Sequence, residues 1–269
     1  MDRARLKTFI LLLLLTVNLV FLSLITMDRI QTVRQAQETR EELNQVLSDL
    51  GIRMEIRNLP AAEGQALYLI SRDIEAERQA VNILLEVPEK RDEGGGIHSY
   101  ISGGGRAQFC ENFFQFHFTG QHTASEASIQ ATAEEILDSL GLTTGFPVHS
   151  RSEIAEMLTY IPTIDGLNIA NGQISFLFSQ GILQEIKGPA LWGQTQRYAA
   201  GEQLDATTAL IRLADHLQEG GVASRFLAAE MGYYLLEGPG YLEFRPVWII
   251  ETDSGAYSID RQNGEVRKI

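Results

Sequence analysis

An uncharged run from Thr8 to Met27 constrains this chain more than any other feature of its sequence. At about 1.5 Å of rise per residue, a helix over this run is about 30 Å long, which is the hydrocarbon thickness of a bilayer. A helix also satisfies its own backbone hydrogen bonds in lipid, where water is scarce. We therefore expect a short tail and one transmembrane helix in residues 1–27.

The charges beside the run predict its orientation. Arg3, Arg5 and Lys7 precede it, and Asp28 follows it. Positive charges stay on the cytoplasmic side, so we expect a cytoplasmic N-terminus and an extracytoplasmic remainder at the plasma membrane. A cleaved signal peptide is the alternative. Its apolar core is usually only about 7–15 residues long and is followed by an A-x-A pattern, which this chain lacks, so an uncleaved signal anchor is favoured.

A polar residue near the middle of the run predicts a contact with another helix. An amide that faces lipid lacks hydrogen-bond partners, and polar residues at that depth usually face a neighbouring helix. The predicted partner-binding face of the membrane helix consists of Leu11, Leu15, Asn18, Leu22 and Ile25, which recur every three or four positions. The alternative is that the many leucines tolerate one asparagine without a partner.

The composition indicates a folded and acidic exterior without disulfides. The chain has 22 Lys and Arg against 35 Asp and Glu, a net charge of -13, and 44% of its residues are hydrophobic. An acidic surface repels nucleic acid, so we expect no nucleic-acid partner. Cys110 is the only cysteine, so no intrachain disulfide forms, as in many exported proteins of Gram-positive bacteria. We expect Cys110 to be a small core residue.

The rest of the chain divides into three predicted segments. Residues 28–50 are expected to form a juxtamembrane helix, because apolar residues recur there every three or four positions and a glycine follows. Residues 51–122 are expected to form a membrane-proximal α+β domain, with a helix from Ile74 to Glu86 and a strand from Phe109 to Phe118. Residues 123–269 are expected to form a tandem α+β domain.

The last segment repeats a helix followed by antiparallel strands. One helix is predicted after an N-cap candidate at Ser125, and another from Gln203 to Leu217. Alternating strands follow each helix, and Asn263-Gly264 is the clearest hairpin turn. Ala131 to Phe178 and Thr207 to Ile259 are the best-matching pair of repeats. Each unit hides one helix face against one face of a sheet, which is an α+β architecture.

No arrangement of residues predicts catalysis or metal binding. His117 and His122 are five positions apart, not the four that place two ligands on one helix face. The glycine-rich sequence before Arg106 lacks the ending of a phosphate-binding loop, and no Gly-x-Ser-x-Gly sequence is present. Glu134-Glu135 is expected to face solvent. We therefore expect no enzyme activity, no cofactor and no metal. A membrane-anchored hydrolase is the weakest alternative.

The closing strands resemble the end of a PepSY-type domain. They share its Pro-x-Trp strand at Pro246–Trp248, its tyrosine strand ending in aspartate at Tyr257–Asp260, and its Gly-Glu-Val hairpin at Gly264–Val266. The chain also begins in a characteristic way, with Met1, Asp2, Lys7 and Thr8 before a leucine-rich span. The whole layout is similar to the YycI/YycH family of Firmicute membrane regulators, and the length fits its shorter, YycI-like members.

That resemblance implies a regulatory function. Proteins of the family adjust the WalK sensor histidine kinase, a two-component sensor that governs cell-wall metabolism. The implied partners are the kinase and a sister YycH-like protein, which are contacted through membrane helices, and the resemblance implies no catalysis. The alternative function is a PepSY-type inhibitor or chaperone of a secreted peptidase, with the span only as an anchor.

Overall fold

The computed structural model describes residues 14, 17, 18, 37–56, 59–60, 64–85, 88–120, 129–152, 154–220 and 225–269. The chain forms two compact units, Met1–Met54 and Glu55–Ile269. Helices and strands are both present, strands predominate, and the ladders between named strands are antiparallel. The predicted α+β class is confirmed.

The first unit contains helix α1, residues 37–49, and the two-residue strand β1, Arg53–Met54. The end of α1 is closed by backbone hydrogen bonds, because the N–H of Ile52 donates to the carbonyl of Leu47 at 2.8 Å. Leu43 and Leu47 are the buried residues of this helix. The spacing that predicts a helix before residue 50 is therefore confirmed over the described part.

An eight-stranded antiparallel sheet, which we call the large sheet, occupies much of the second unit. From one edge to the other its strands are β3 (Glu89–Gly94), β4 (Ile97–Ser102), β5 (Gly105–Cys110), β6 (Phe113–Phe118), β12 (Ile182–Pro189), β11 (Ile174–Ser179), β8 (Glu156–Tyr160) and β7 (Val148–Arg151). The short hairpin of β9 (Thr163–Ile164) and β10 (Leu167–Asn168) follows β8.

Helices α2 (Ile74–Leu84) and α3 (Ile129–Ser139) share one core with the large sheet. Their apolar stripes are buried with the inward-facing aromatic residues of the strands, which include Phe109, Phe116 and Phe176. The outward positions of the same strands are polar or half-exposed, as at Gln108 and Gln115. The sheet thus follows the alternation of an antiparallel sheet with one face covered.

A second sheet combines the closing strands with two earlier ones. It contains β2 (Leu67–Arg72), β13 (Gly193–Tyr198), β14 (Arg225–Gly238), β15 (Tyr241–Thr252), β16 (Gly255–Asp260) and β17 (Val266–Lys268). Helix α4 (Ala206–Gly220) contacts β15 and β17. The indole N–H of Trp248 donates to the carbonyl of Leu204 at 2.9 Å, which ties β15 to the segment before α4.

The structure differs from the sequence predictions in strand pairing. Residues 109–118 are not one strand, because Glu111 and Asn112 turn the chain between β5 and β6. β6 pairs with β12, so the large sheet joins strands from both sides of residue 122, where the sequence predicts a domain boundary. Hydrophobic periodicity predicts which residues of a strand are buried, but it does not predict which distant strand pairs with that strand.

Candidate functional site

The residues of the predicted partner-binding face of the membrane helix lie almost wholly outside the described residues. Asn18 is described, and it is helical and exposed. Leu11, Leu15, Leu22 and Ile25 lie outside the described residues. Among the parts of the chain that are described, no helix is long and apolar enough to cross a membrane. The partner-binding face therefore stays a prediction.

Two described histidines lie beside glutamate carboxylates. His117 Nδ1 lies 3.5 Å from a Glu185 carboxylate oxygen, and His149 Nε2 lies 3.1 Å from one of Glu156. Within the described ranges, no group of three or more His, Cys, Asp or Glu residues is placed to hold a metal ion. His122, the second histidine of the predicted pair, lies outside them.

A buried ion pair joins β2 to α2. Glu77 is 1% exposed and accepts two hydrogen bonds from Arg72, at 2.5 Å from Nε and 3.1 Å from Nη2. Arg72 Nη1 also donates to the Gly96 carbonyl at 2.5 Å, and His98 Nδ1 lies 3.5 Å from Glu77. A bidentate guanidinium compensates for the burial of the carboxylate, so this cluster holds the β3–β4 hairpin against α2.

A pocket of about 430 Å³ lies between α3 and the loop that follows it. Glu134 and Asp138, four residues apart on α3 and both exposed, form its acidic wall. We call it the acidic pocket, and its lining is completed by Leu137, Leu142, Thr143, Thr144, Gly145, Phe146, Pro147 and Tyr160.

Backbone hydrogen bonds fix the shape of the acidic pocket. α3 ends at Ser139, and Gly141, whose φ of 67° lies in the left-handed region, turns the chain after it; the next N–H, of Leu142, donates to the Leu137 carbonyl at 2.9 Å. The loop then runs beside the chain after β8, where the Gly145 N–H donates to the Ile161 carbonyl at 3.0 Å. The pocket is therefore built on paired backbone at its helix end and at its strand end.

Tyr160, which lines the acidic pocket, has a buried hydroxyl group. Tyr160 is 1% exposed, and its hydroxyl has no hydrogen-bond partner in the described part of the structure. Burial raises the pKa of Tyr160 to about 12, and the nearby negative charge of Glu134 contributes to this rise. The hydroxyl is therefore neutral at physiological pH and remains able to accept or donate a hydrogen bond.

The negative potential of the acidic pocket has a second source in the helix. Asp138 lies in the last turn of α3, where the backbone carbonyls already carry a partial negative charge, and that turn has no basic residue. A carboxylate there destabilises the helix by roughly 0.3–1 kcal/mol. Residues that oppose local stability in this way are often functional.

Exposed apolar side chains surround the β7 end of the large sheet. Phe146 is 95% exposed, Ile154 78% and Val148 63%, and Met157 on the adjacent strand β8 is also exposed. β7 pairs with β8 on one side and has no strand on the other among the described residues. We call this region, residues 146–151 with Ile154 and Met157, the β7 edge.

A second groove lies on the open face of the large sheet. Its volume is also about 430 Å³, and its lining includes Cys110, Phe113, Gln115 and Lys187. Cys110 is exposed, so the prediction that it is a core residue is wrong. Its neighbour Phe109 points into the core, and the alternation of a strand therefore directs Cys110 outward.

Comparisons with known proteins do not identify a family. No protein-family model matches the chain, and no curated protein matches it. An uncharacterized protein from Eubacterium rectale ATCC 33656 is similar in structure, with 10% identity, a TM-score of 0.48, and a match over 81% of this chain and 90% of that one. The C-terminal domain of YpeB from Bacillus megaterium has 10% identity and a TM-score of 0.41, over 74% of this chain and 98% of that one.

At these TM-scores neither similarity establishes a shared fold or a function. The resemblance of the closing strands to PepSY-type domains and that of the whole layout to the YycI/YycH family therefore stay predictions. Glu134 is exposed, which confirms the prediction that it faces solvent, but the acidic pocket that it lines is not among the predicted sites. The signal available in the sequence is an acidic residue in the last turn of a helix, followed by a Phe-Pro pair.

Proposed function

We propose that the protein is a membrane-anchored, extracytoplasmic regulator that acts by binding and not by catalysis. Its single span holds it in the plasma membrane with the N-terminus in the cytoplasm. The regulated protein is a two-component sensor histidine kinase of cell-wall homeostasis, and a sister YycH-like protein is the second partner. Binding shifts the population of the kinase's signalling states, since a partner that prefers one state favours it.

The observation that carries this proposal is Asn18 within the uncharged run from Thr8 to Met27. An asparagine at that depth favours a contact with another membrane helix, because an interhelical hydrogen bond contributes about 0.6–2 kcal/mol. The acidic exterior and the resemblance to the YycI/YycH family support the same proposal. Anchoring alone requires no polar residue in the span.

Replacement of the span tests the proposal. A variant with an unrelated apolar helix in place of residues 8–27 is expected to lose regulation of a kinase-dependent reporter while it remains in the membrane. Unchanged regulation by this variant would contradict the proposal. It would favour the alternative of a peptidase inhibitor or chaperone, in which the span only anchors the outer part.

A single substitution tests the predicted interface. Asn18→Leu is expected to reduce the membrane two-hybrid signal with the kinase, because it removes the interhelical hydrogen bond and keeps the span apolar. Val20→Leu is the matched control, because the helical spacing places Val20 outside the predicted partner-binding face. Equal signals for the two variants would remove Asn18 from the interface.

A further inference from the structure

We propose that the β7 edge binds an extended segment of a partner protein as an added strand, and that a basic side chain of this segment enters the acidic pocket. The inference goes beyond the proposed function, because it concerns the outer part of the protein and does not depend on the membrane helix.

The two edges of the large sheet differ in a way that indicates binding at one of them. Edge strands expose unpaired backbone groups, and proteins usually protect them with charges and bulges. β3, at one edge, is protected in both ways: it has the sequence EKRDEG, and its register with β4 shifts between Asp92 and Gly94. The ladder of β7 with β8 has no such shift, and Val148 and Met157 expose apolar surface beside it. The β7 edge thus retains a regular ladder and an apolar surface, which an added strand requires.

The acidic pocket determines the charge of the occupant. Glu134, Asp138 and the carbonyl end of α3 all favour a cation. The basic side chains of β7, His149 and Arg151, both lie within 3.3 Å of Glu156. An arginine presents five N–H donors, which suit two carboxylates and a hydroxyl oxygen. Tyr160 lines the same pocket, and its hydroxyl, which has no partner among the described residues, is that last acceptor in the proposed complex.

Strand alternation defines the sequence pattern of the occupant. Val148 pairs with Thr159 on the open face of the large sheet, whereas Leu158 and Tyr160 point towards α3. Side chains of an added strand alternate in the same way. The basic residue must therefore occupy an α3-facing position, and apolar residues at the alternate positions contact Val148.

A designed peptide tests the proposal with the full-length protein in detergent micelles. The probe is a fluorescent ten-residue peptide that alternates valine and threonine, with one central arginine in place of a threonine. Fluorescence anisotropy should show saturable binding. The same peptide with glutamate instead of arginine should bind about tenfold more weakly or worse, because a charge-assisted hydrogen bond is lost and repulsion is added. Equal affinities for the two peptides would overturn the proposal.

Protein variants locate the binding. The double variant Glu134→Gln/Asp138→Asn should weaken binding of the arginine peptide about tenfold. Glu38→Gln/Glu42→Gln on α1 removes the same charge from an exposed pair with the same spacing and should leave the affinity unchanged. Tyr160→Phe keeps the ring in the core and should also weaken binding. If the α1 pair mattered as much as the pocket pair, binding would be a general charge effect and the proposed site would be wrong.

Backbone methylation of the peptide tests strand addition itself. In an added strand only every second N–H faces the receiving edge. Methylation of one alternate set of peptide nitrogens should therefore abolish binding, and methylation of the other set should leave binding intact. Loss of affinity at every position, or at none, would exclude a strand added to β7.

Discussion

At the residue scale, the two side chains whose environment is least apparent from their type are Cys110 and Tyr160. A cysteine is usually a small buried residue, yet Cys110 lies on the open face of the large sheet. Tyr160 is buried, yet its hydroxyl lacks a partner among the described residues. In both cases the register of one strand within the sheet decides the environment.

The exposure of Cys110 predicts a reactive thiol in the native protein. Ellman's reagent should modify it without denaturant, because no apolar packing must open first. The expected stoichiometry is one thiol per chain, since Cys110 is the only cysteine. Cys110→Ser should abolish the reaction. Modification that begins only in denaturant would contradict the exposed position.

At the element scale, the two edge strands of the large sheet differ in their charges, and the end of α3 carries an unfavourable one. β3 and β7 are both fully exposed strands at the ends of one sheet, but only β3 carries a continuous run of charges. The end of α3 carries an aspartate where a basic residue would stabilise the helix. An edge strand without a continuous run of charges and a helix end with an unfavourable carboxylate thus both lie beside the acidic pocket.

Asp138→Lys should therefore stabilise the protein while it weakens peptide binding at the pocket. The gain should be about 0.3–1 kcal/mol, because a cation replaces an anion at the negative end of α3. Urea denaturation of the two proteins measures it. Asp215→Lys, an exposed position of α4 before its last turn, is the control and should give a smaller change. A loss of stability in Asp138→Lys would contradict this account of the helix end.

At the scale of the whole molecule, buried tyrosines link the stability of the second unit to pH. Tyr100 and Tyr160 lie in the core of the large sheet, and Tyr68 and Tyr233 in that of the second sheet. Burial is the largest cause of the raised pKa of Tyr100, Tyr160 and Tyr233. For Tyr68 the main cause of the raised pKa is its hydrogen bond to Asp165.

These directions predict a loss of stability in alkali. A raised folded-state pKa means that the native protein holds its protons more tightly than the unfolded chain does. The contribution is complete below the ordinary tyrosine pKa of about 10 and declines above it. For Tyr160 the decline continues to about pH 12. The urea midpoint should be lower at pH 11 than at pH 8, and the drop should be smaller in Tyr160→Phe. If the urea midpoint fell equally in the two proteins, Tyr160 would not contribute to the pH dependence of stability.

Local patterns in the sequence determine the α+β class, the helices α2, α3 and α4, the closing hairpins and the uncharged run before residue 28. These features follow from neighbours a few positions apart, since helix and strand periods, caps and turn residues are local properties. The strands that the sequence does not predict, such as β3, β7 and β13, are exposed at most positions. Without a buried face, they lack the alternation that marks a strand.

Only the tertiary structure decided which strands are neighbours and which edge is left open. The pairing of β6 with β12, and of β2 with both β13 and β15, joins segments that are far apart in the chain. The acidic pocket forms where α3 approaches the end of β8, so neither Glu134 nor Tyr160 indicates it alone. Burial on one face fixes the pattern of each strand, but the choice of partner depends on packing the whole core at once, which no local pattern encodes.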